Sequence, residues 1–598
     1  MNKQQGPLEE PAGEWFVNRK EALELFWKWA TDIPDRPRGS YALIGLRRTG
    51  KTTIIHKVFN RLFHEQRRVM PIYVTFAEYL NRSKPLGAYE FAEEYFMGVM
   101  RSYLAFRHRR PDLHHFRTKY QELYLLAHEL SDELALEWFR IYQGEKTVTA
   151  HNVMQWAINF PKGYAWTNDM PMAIFIDEFQ VLTDVYNPDS QRMRDLTDSF
   201  QQASETRWAP IVVSGSSVSM MVDDALSGLL SGRFSLWYVE PLLEEHAVDL
   251  VFRLGQIHNI KVTPELAKAI WELTQGYPYP IERLMKSASP AINRLPDLDA
   301  LDEILLFELT ERRGGLWYHY HSEYGKYINQ INGDQITRKT LLWIIKHPGQ
   351  RIFADAIAAE LNLDEKKVRE SLEKLHEADI IHSTGWLSYE DPKDPMLHRY
   401  IEFQHHREVE QLSPEEAVQN LISEVNRIRG IANHQVGHLA EVIVAGVMRN
   451  FDGSELDGQE WFGIPGLITL PKIEKIERRE GVIKKGEYNE IDVIGEFRLP
   501  DNSPSDTNSS APKSIGAWLV SVRYRNKKMG LAEIEKFLKH TMAVKSEKGY
   551  ATVIRWYFSK SGFTEEATKR LQEDGIYFSD QQQFNNLANQ FDFLGLPA

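Results

Sequence analysis

The chain has 598 residues, enough for several domains, and its hydrophobic share of 42% and charged share of 26% are typical of a folded globular protein. With 71 basic against 84 acidic residues the net charge is −13, which excludes a globally basic surface of the kind that binds nucleic acid. Cysteine is absent, which excludes disulfides, thiolate zinc sites and cysteine nucleophiles, and no apolar run is long enough to predict a membrane-spanning helix.

The first predicted elements surround a glycine-containing segment. Residues 1–14 are polar, an amphipathic helix follows through Trp29, and a short apolar strand is predicted at 41–44. Residues 45–53 read Gly-Leu-Arg-Arg-Thr-Gly-Lys-Thr-Thr, and a helix is predicted over 53–60. Strand, glycine loop and helix form the context that the phosphate-binding pattern G-x-x-x-x-G-K-S/T requires; a chance turn is the alternative interpretation.

Each residue type in this loop has a physical role in phosphate binding. Glycines let backbone N–H groups curl around an anion, and the N-terminus of the following helix adds partial positive charge. The Lys51 amine would reach the β- and γ-phosphates of a nucleotide, and the Thr52 hydroxyl would ligate Mg²⁺. The predicted binding residues are Gly45, Arg48, Thr49, Gly50, Lys51, Thr52 and Thr53.

Further strands alternate with helices in the next part of the chain. Apolar, β-rich strands are predicted at 69–76, 173–178 and 210–217, the last two with polar residues at their ends, and residues 84–165 have the periodicity of an all-helical insertion. Such alternation predicts a parallel sheet covered by helices on both faces. Ligands of such sheets bind at the carboxyl ends of the strands, where the glycine loop also lies.

Polar residues near the strand ends are candidates for catalysis. Asp177 would support Mg²⁺ and Glu178 would activate the attacking water, whereas helix capping or solvation is the alternative for both acids. Ser214 would reach the γ-phosphate or the water, unless it caps the following turn. Arg233, which follows Gly232 in a turn, would stabilise phosphoryl charge in cis or from a neighbouring subunit; a surface arginine paired with an acid is the alternative.

Beyond a core of residues 15–240, the chain divides into four further parts. A helical lid is predicted at 241–330. Residues 331–410 contain three helices and a β-hairpin, the composition of a winged helix. Its third helix carries charges of both signs, so contact with DNA and contact with protein both stay open. A linker helix is predicted at 411–436 and an α/β unit at 437–598.

The order of these motifs resembles the archaeal-ATPase family within the STAND group of P-loop NTPases, which are relatives of the AAA+ proteins. The resemblance rests on Phe16-Val-Asn-Arg19-Lys-Glu21, Gly45–Thr53, Asp177-Glu178, Ser214, Gly232-Arg233 and Gly276-Tyr277-Pro278. It implies an AAA+-like core, a winged helix and a nuclease-like C-terminal domain. Two features depart from the family: the insertion is long, and Tyr279 stands where many relatives place a sensor arginine, for which Arg283 is a candidate substitute.

Residues 437–580 resemble the PD-(D/E)xK nuclease fold that accompanies this family. In active relatives the acids hold Mg²⁺ and a lysine positions the nucleophilic water. Glu441 and Asp492 match two of the acids, but Ser521 and Arg523 stand where the last acid and the lysine belong. Because one carboxylate is lost and arginine stays protonated, the resemblance implies a degenerate domain that does not cleave nucleic acid.

These patterns predict an α/β fold class: a P-loop NTPase parallel sheet with a helical insertion and helical lid, then a winged helix and an α/β restriction-endonuclease-like domain. The main hypothesis is an ATP-hydrolysing ATPase whose nucleotide state switches the arrangement of the last two domains. The alternatives are a nucleotide-gated scaffold or nucleic-acid-binding module with negligible hydrolysis, and an active nuclease. ATP and Mg²⁺ are the predicted cofactors, DNA and further copies of the chain are candidate partners, and a cytoplasmic location without membrane contact is expected.

Overall fold

The structure, a computed structural model, describes residues 7–8, 16–79, 86–114, 119–146, 149–185, 194–204, 207–215, 233–298, 300–322, 335–347, 349–377, 380–385, 388–390, 394–408, 416, 439–484, 487–499 and 515–596. The chain divides into two units: unit 1, with residues 1–241, 277–279 and 319–405, and unit 2, with residues 242–276, 280–318 and 406–598. The predicted linker helix at 411–436 lies, apart from residue 416, outside the described residues. None of the helices in the described ranges is long and apolar enough to cross a bilayer.

A five-stranded parallel sheet forms the centre of unit 1. Its strands are β1 (Ser40–Ile44), β2 (Met70–Thr75), β3 (Met172–Asp177), β4 (Ile211–Gly215) and β5 (Phe234–Tyr238). They lie side by side in the order β2-β3-β4-β1-β5. Every residue of β3 is buried, because a central strand of a parallel sheet is covered on both faces. The parallel α/β sheet predicted from the sequence is confirmed.

Helices flank this sheet and fill the long segment between β2 and β3. They are α1 (Lys20–Thr31), α2 (Lys51–Glu65), α3 (Ala88–His108), α4 (Tyr120–Glu129), α5 (Glu133–Glu145), α6 (Ala150–Thr167) and α7 (Arg194–Ser204). The Asp132 carboxylate caps α5 by accepting from the Ala135 N–H at 3.0 Å, and it also accepts from the Tyr103 hydroxyl of α3 at 3.1 Å. One buried side chain thus fixes α5 against α3. Aromatic stacking adds to this core, as between Phe96 and Tyr142, whose ring centroids are 4.3 Å apart.

Helices follow β5 in the chain. They are α8 (Glu244–His258), α9 (Pro264–Thr274), α10 (Pro278–Lys286) and α11 (Leu301–Thr310). The start of α9 is set by Thr263, whose Oγ1 accepts from the Leu266 N–H at 3.2 Å. Pro264 occupies the first helical position, where a missing N–H costs nothing. These elements correspond to the segment in which a helical lid is predicted.

Residues 335–408 add a small sheet and four more helices to the chain. In order they are α12 (Gln335–Lys346), β6 (Ile352–Phe353), α13 (Ala354–Leu361), α14 (Glu365–Glu377), β7 (His382–Gly385), β8 (Ser388–Glu390) and α15 (Pro395–Glu408). The strands are antiparallel in the order β6-β8-β7. Val368, Leu372 and Leu375 of α14 are fully buried, as their helical spacing predicts. Helix α13 begins only at Ala354, because Ile352 and Phe353 before it pair with β8.

A second five-stranded sheet lies in the C-terminal part of unit 2. Residues 439–596 form α16 (Leu439–Arg449), β9 (Glu455–Asp457), α17 (Gly458–Phe462), β10 (Leu467–Thr469), β11 (Lys475–Lys484), β12 (Glu487–Arg498), β13 (Ile515–Arg523), α18 (Leu531–Lys548), β14 (Thr552–Ser559), α19 (Glu565–Glu573), β15 (Tyr577–Ser579) and α20 (Gln581–Gln590). Strands β11 to β15 lie in chain order. The β11–β12 and β12–β13 pairs are antiparallel, and the β13–β14 and β14–β15 pairs are parallel.

Candidate phosphate-binding site

The register of the first sheet places its polar strand ends side by side. The last residue of β1, Ile44, pairs with Gly215 of β4, and Ile176 of β3 pairs with Val213 of β4. Asp177, the next residue of β3, therefore comes level with Ser214. Because the strands are parallel, their carboxyl ends and the loop that leaves β1 share one edge of the sheet, which is where such sheets bind ligands.

Two glycines shape the loop between β1 and α2. A Cβ on Gly45 would lie only 2.8 Å from the Val239 carbonyl oxygen, so no larger residue fits there without a shift. Gly50 has φ 99°, in the left-handed region that glycine adopts readily. Helix α2 begins at the next residue with this glycine as its N-cap, so no side chain caps its first N–H groups. An uncapped helix N-terminus of this kind favours an anion.

Lys51 brings a positive charge to this loop. Its side chain is buried, and Nζ donates to the carbonyl oxygens of Gly45 and Leu46 at 2.7 Å each. Thr49 is also buried, and its Oγ1 donates to the Leu46 carbonyl at 2.8 Å. Arg19 donates from its guanidinium to the Thr49 carbonyl at 3.1 Å, and burial lowers the pKa of Arg19 to about 10. These contacts hold the loop around the amine that would meet a phosphate.

Three hydroxyl groups converge on the Asp177 carboxylate. Thr52 Oγ1 donates to Oδ2 at 2.9 Å, Ser214 Oγ donates to Oδ1, and the Tyr73 hydroxyl donates to Oδ2 at 3.3 Å. The structure thus brings together Thr52, Asp177 and Ser214, which were predicted from separate motifs; Thr53 follows in the first turn of α2. Hydroxyl and carboxylate oxygens are ligands that suit Mg²⁺, so Thr52 and Asp177 fit this ion.

Among the residues that the structure describes, Thr52 and Asp177 are not part of a larger cluster of metal-binding side chains. In the described ranges, no group of three or more His, Asp or Glu side chains could hold a metal ion. A magnesium ion held by one carboxylate and one hydroxyl depends on further oxygen ligands from a bound phosphate, which is the usual arrangement for Mg²⁺ in nucleotide sites. The residues at this edge therefore suit a metal–nucleotide complex better than a free metal ion.

Glu178 follows Asp177 in a strained backbone conformation. Its φ of 59° lies in the left-handed region, which a non-glycine residue adopts at a cost. The Gln180 side-chain amide donates to the Glu178 carboxylate. Burial, and next the Asp177 charge, raise the pKa of Glu178 above its usual range. A raised pKa at a strand end beside the glycine loop is the property that a general base requires.

Arg48 contacts Tyr279, the residue that stands where many relatives of the resembled family place a sensor arginine. The Arg48 guanidinium lies 3.6 Å from the centroid of the Tyr279 ring, a cation–π contact within unit 1. Tyr279 in turn meets His319 edge-on at 5.1 Å. The signal available in the sequence was the Gly-Tyr-Pro step at 276–278, which placed this segment near the nucleotide but did not identify the contact with Arg48.

The aromatic contacts continue from His319 into the last part of unit 1. The ring of Tyr320 lies 5.0 Å from that of His319, and its hydroxyl donates to Asp394 Oδ2 at 2.7 Å. Asp394 precedes α15 and accepts from the Met396 N–H at 2.9 Å. A continuous series of side-chain contacts therefore joins the glycine loop, through Arg48 and Tyr279, to the start of α15.

Arg233, the arginine considered for the phosphoryl group, lies at the other end of the strands from the glycine loop. Arg233 is exposed and precedes β5, whose first residue pairs with Ser40, the first residue of β1. Arg233 therefore lies at the amino ends of the strands, whereas the glycine loop lies at their carboxyl ends. The five residues of β5, which separate the two ends, span about 16 Å. The role in cis expected for Arg233 is wrong, and a role from a neighbouring subunit stays a prediction. Arg283 binds the buried Glu308 of α11 at 2.8 Å within unit 2, and its expected role as a sensor stays a prediction.

The C-terminal sheet contains three of the four residues at the nuclease-like positions, namely Asp492, Ser521 and Arg523. Asp492 Oδ2 accepts from Ser521 Oγ at 2.9 Å, from the Val522 N–H at 2.7 Å and from the Arg523 guanidinium at 2.7 Å. Three donors on one carboxylate oxygen, one of them a permanent cation, leave it poorly suited to a metal ion. The substitutions noted in the sequence, Ser521 and Arg523, are thus the groups that bind this acid.

Glu441 of α16 is held in a similar way. The Arg479 guanidinium donates to both of its carboxylate oxygens, at 2.9 and 3.0 Å. Burial, and next the Asp492 charge, raise the pKa of Glu441 to about 8. Both acids of the nuclease-like pattern are therefore bound by arginines of the same unit.

The chain is similar to one protein family and to several solved structures. Residues 16–284 match the model of a family described as an ATPase domain predominantly from Archaea, and no curated protein matches the chain significantly. Among solved structures, the Walker-type ATPase of Pyrococcus abyssi is 16% identical, covers 64% of this chain and 96% of its own, and has a TM-score of 0.42. The ORC2 protein of Aeropyrum pernix, in ADPNP–ADP complexes, is 10% identical over 68% and 94%, with a TM-score of 0.38. The RuvB Holliday junction branch migration motor of Thermotoga maritima is 13% identical over 65% and 96%, with a TM-score of 0.30.

The family match covers the glycine loop, all five strands of the parallel sheet and the helices through α10. Residues 16–284 therefore form a P-loop ATPase-like domain that is similar to an ATPase domain found predominantly in Archaea.

Proposed function

We propose that the chain binds ATP with Mg²⁺ at residues 45–53 and hydrolyses it to ADP and phosphate. The observation that supports this most directly is the convergence of Thr52 and Ser214 on Asp177, beside a glycine loop that carries Lys51. Four residues from three separate elements meet at the one edge of the sheet where parallel sheets bind ligands. Capping or surface solvation, the plainer alternatives for these residues, would not require that they contact one another.

Each of these side chains has a defined part in the proposed reaction. The Lys51 amine and the first N–H groups of α2 would bind the phosphates, and Thr52 and Asp177 would hold the metal ion. When bound, Mg²⁺ supplies positive charge to the phosphate oxygens. Glu178 would orient a water molecule and accept its proton, a contribution of about 10²–10⁴-fold in rate for a general base. Ser214 would act on the phosphate or the water from the neighbouring strand.

Two substitutions test binding and turnover separately. Lys51→Ala should abolish ATP binding, measured by calorimetry, because the buried amine of the loop is lost. Glu178→Gln should keep ATP binding and lower turnover by about 10²–10⁴-fold, because the amide cannot accept the proton. Arg61→Ala is a matched control, since Arg61 is exposed on the same helix, where it forms a surface ion pair with Glu65 at 2.9 Å and a cation–π contact with the Trp27 ring at 4.0 Å. Unchanged ATP binding by Lys51→Ala would refute the proposed site.

A nucleotide-gated scaffold with negligible hydrolysis is the second candidate, and one observation favours it. Arg233 lies at the amino ends of the strands, whereas the glycine loop lies at their carboxyl ends. A single chain thus does not bring Arg233 to the phosphates of its own site, which favours slow turnover by the isolated protein. Turnover measured with and without a panel of nucleic acids, together with the mass of the protein in ATP and in ADP, separates the two candidates.

Residues 331–410 are proposed to form a winged helix that responds to the nucleotide. Support comes from α12, α13 and α14 together with the antiparallel sheet β6-β8-β7, and from the side-chain contacts that join Arg48 to Asp394. Helix α14 carries four acidic and four basic residues, so its charge does not favour DNA over a protein partner. Stimulation of turnover by DNA would assign the surface to nucleic acid.

The C-terminal domain is proposed to have a nuclease-like fold without nuclease activity. The support is chemical: Asp492 is bound by Ser521 and Arg523, and Glu441 is bound by Arg479. Arginine stays protonated and competes with a metal ion for the carboxylates. The domain would then serve as a binding or structural module whose arrangement changes with the nucleotide, as in the main hypothesis.

A further inference from the structure

Two residues beneath the magnesium-binding pair belong to none of the motifs in the sequence. Tyr73 lies on β2, next to β3, and its hydroxyl is 3.3 Å from Asp177 Oδ2. His56 lies on α2, and its Nε2 is 3.0 Å from the same hydroxyl. Both residues are buried, and their rings meet edge-on at 5.1 Å. A buried series of two hydrogen bonds therefore runs from α2 through β2 to the carboxylate of β3.

The direction of these hydrogen bonds follows from the chemistry of the groups. An ionised carboxylate only accepts, so the single hydroxyl proton of Tyr73 points to Asp177. The Tyr73 oxygen must then accept from His56, which requires the proton of the imidazole to be on Nε2. In agreement, His56 Nδ1 is buried and has no hydrogen-bond partner among the described residues. The ring is neutral, because burial lowers the pKa of His56 to about 4.

We propose that Tyr73, oriented by His56, is a positioning residue that holds the Asp177 carboxylate in the orientation needed for Mg²⁺. The inference rests on the proposed function, since it concerns the same metal site. The Tyr73 hydroxyl and Thr52 Oγ1 both donate to Oδ2 of Asp177. Tyr73 therefore holds the carboxylate oxygen that Thr52 also contacts. Hydrogen bonds to a ligating carboxylate set its orientation, and their removal typically weakens metal affinity by about 10–100-fold.

A purely structural role predicts a different result. The Tyr73 ring packs against His56 and, at 6.0 Å, against Phe59, so Tyr73→Phe keeps the apolar contacts and removes only the hydroxyl. If packing were the whole role, this substitution would leave magnesium-dependent binding unchanged. Tyr95→Phe is the matched control, because Tyr95 is fully buried in the same unit and its hydroxyl has no hydrogen-bond partner among the described residues.

The test measures ATP affinity by calorimetry with saturating Mg²⁺ and again with EDTA. For Tyr73→Phe, we expect the gain in affinity due to Mg²⁺ to fall by about 10–100-fold, while affinity in EDTA changes by less than about twofold. Tyr95→Phe should keep the full gain. An unchanged gain in Tyr73→Phe, or an equal loss in Tyr95→Phe, overturns the inference. If the unmodified protein shows no magnesium-dependent ATP binding, the proposed function itself fails.

A second measurement addresses His56 and does not require Tyr73→Phe to fold. Nitrogen NMR of histidine-labelled protein at pH 7, assigned by comparison with His56→Gln, should show a neutral ring with its proton on Nε2. His56→Gln keeps an N–H donor near the place of Nε2 and should retain most of the magnesium-dependent gain, whereas His56→Leu should lose it. A proton on Nδ1, a charged ring, or equal gains in the two variants overturns the inference.

Discussion

Two histidines of unit 1 are kept neutral by their surroundings. His56 is 4% exposed and faces the Tyr73 hydroxyl, with Asp177 beyond it; His319 is 8% exposed and packs between Tyr279 and Tyr320. Burial lowers the pKa of His56 to about 4, and burial with the nearby charges of the glycine-loop arginines lowers the pKa of His319 to about 3. In the unfolded chain both would titrate near about 6.5. Between these values the unfolded state binds more protons than the folded state.

The free energy of unfolding should therefore fall as the pH drops below about 6.5, and the loss from His56 should be complete near its folded pKa. A depression of the His56 pKa by about 2.5 units corresponds to at most about 3.4 kcal/mol. In His56→Gln, the decline in stability between pH 7 and pH 4.5, followed by urea unfolding, should be smaller than in the unmodified protein. His64→Gln is the control, an exposed histidine on the same helix. Equal pH dependence in His56→Gln and the unmodified protein would contradict the burial argument.

At the scale of elements, the turn between α9 and α10 depends on one glycine. Gly276 has φ 81°, and its carbonyl oxygen accepts from the Leu242 N–H at 2.8 Å. A Cβ at this position would overlap the Leu242 carbonyl oxygen. Because the obstacle is backbone, it cannot be relieved by the rotation of a side chain. The Gly-Tyr-Pro step therefore has a steric reason in this chain, namely the close approach of the segment before α8.

Gly276→Ala should destabilise unit 2 by at least about 2 kcal/mol, from the left-handed backbone together with the backbone overlap. Hydrogen exchange should show the loss of protection in α8, α9 and α10. Gly144→Ala provides a control of opposite sign: this glycine lies in α5, nothing approaches within 4 Å of its would-be Cβ, and alanine should raise helix stability by up to about 1 kcal/mol. Normal protection of α8 to α10 in Gly276→Ala would refute the steric argument.

Elements with a continuous or periodic apolar pattern could be predicted from the sequence, and elements without such a pattern could not. The buried runs of β1, β2, β3 and β4 were located to within one or two residues. Strand β11 was missed because it contains six charged residues among its ten and none of its residues is buried. Helix α20 was missed for a related reason: only Phe584, Leu587 and Ala588 of its ten residues are buried.

The same limit applies to the candidate site. Thr52, Asp177 and Ser214 were predicted because each stands at a recognisable strand end or motif position. Tyr73 and His56 lie inside a strand and a helix, where an aromatic side chain indicates burial, and only the pairing of β2 with β3 brings Tyr73 to Asp177. Contacts that depend on the packing of separate elements have no signal in the local sequence.

At the scale of the whole molecule, unit 2 contains both helices of the proposed lid and the C-terminal sheet. A Cβ on Gly446 of α16 would lie 2.7 Å from Glu245 Cβ of α8, so the two helices pack closely. Arg449 binds Glu245 at 2.8 Å, and the Leu594 N–H donates to Asp249 Oδ1 at 2.9 Å. Any nucleotide-dependent movement of the lid would therefore carry the C-terminal domain with it, which gives the proposed switch a physical basis.

The position of Arg233 has a consequence for assembly. Arg233 is exposed and precedes β5, so it lies at the amino ends of the strands, whereas the glycine loop of its own chain lies at their carboxyl ends. An arginine that stabilises phosphoryl charge must contact the phosphate, so Arg233 can serve this role only on the site of another copy. The prediction of a homo-oligomer and the prediction of a catalytic Arg233 are therefore one prediction, and they can be tested together.

Mixing two inactive variants separates the alternatives. Arg233→Ala lacks the arginine but keeps an intact site, and Glu178→Gln keeps the arginine but lacks the base; each alone should lose turnover by about 10²-fold or more. In a mixture, some sites combine an intact Glu178 with an intact Arg233 from the neighbouring copy, so turnover should return to a fraction of the original rate and depend on protein concentration. Arg207→Ala is the control, because Arg207 is also exposed and also lies before the amino end of a strand, in this case β4. An Arg233→Ala variant with full turnover would remove the arginine from the mechanism, and a mixture without recovery would contradict its action between subunits.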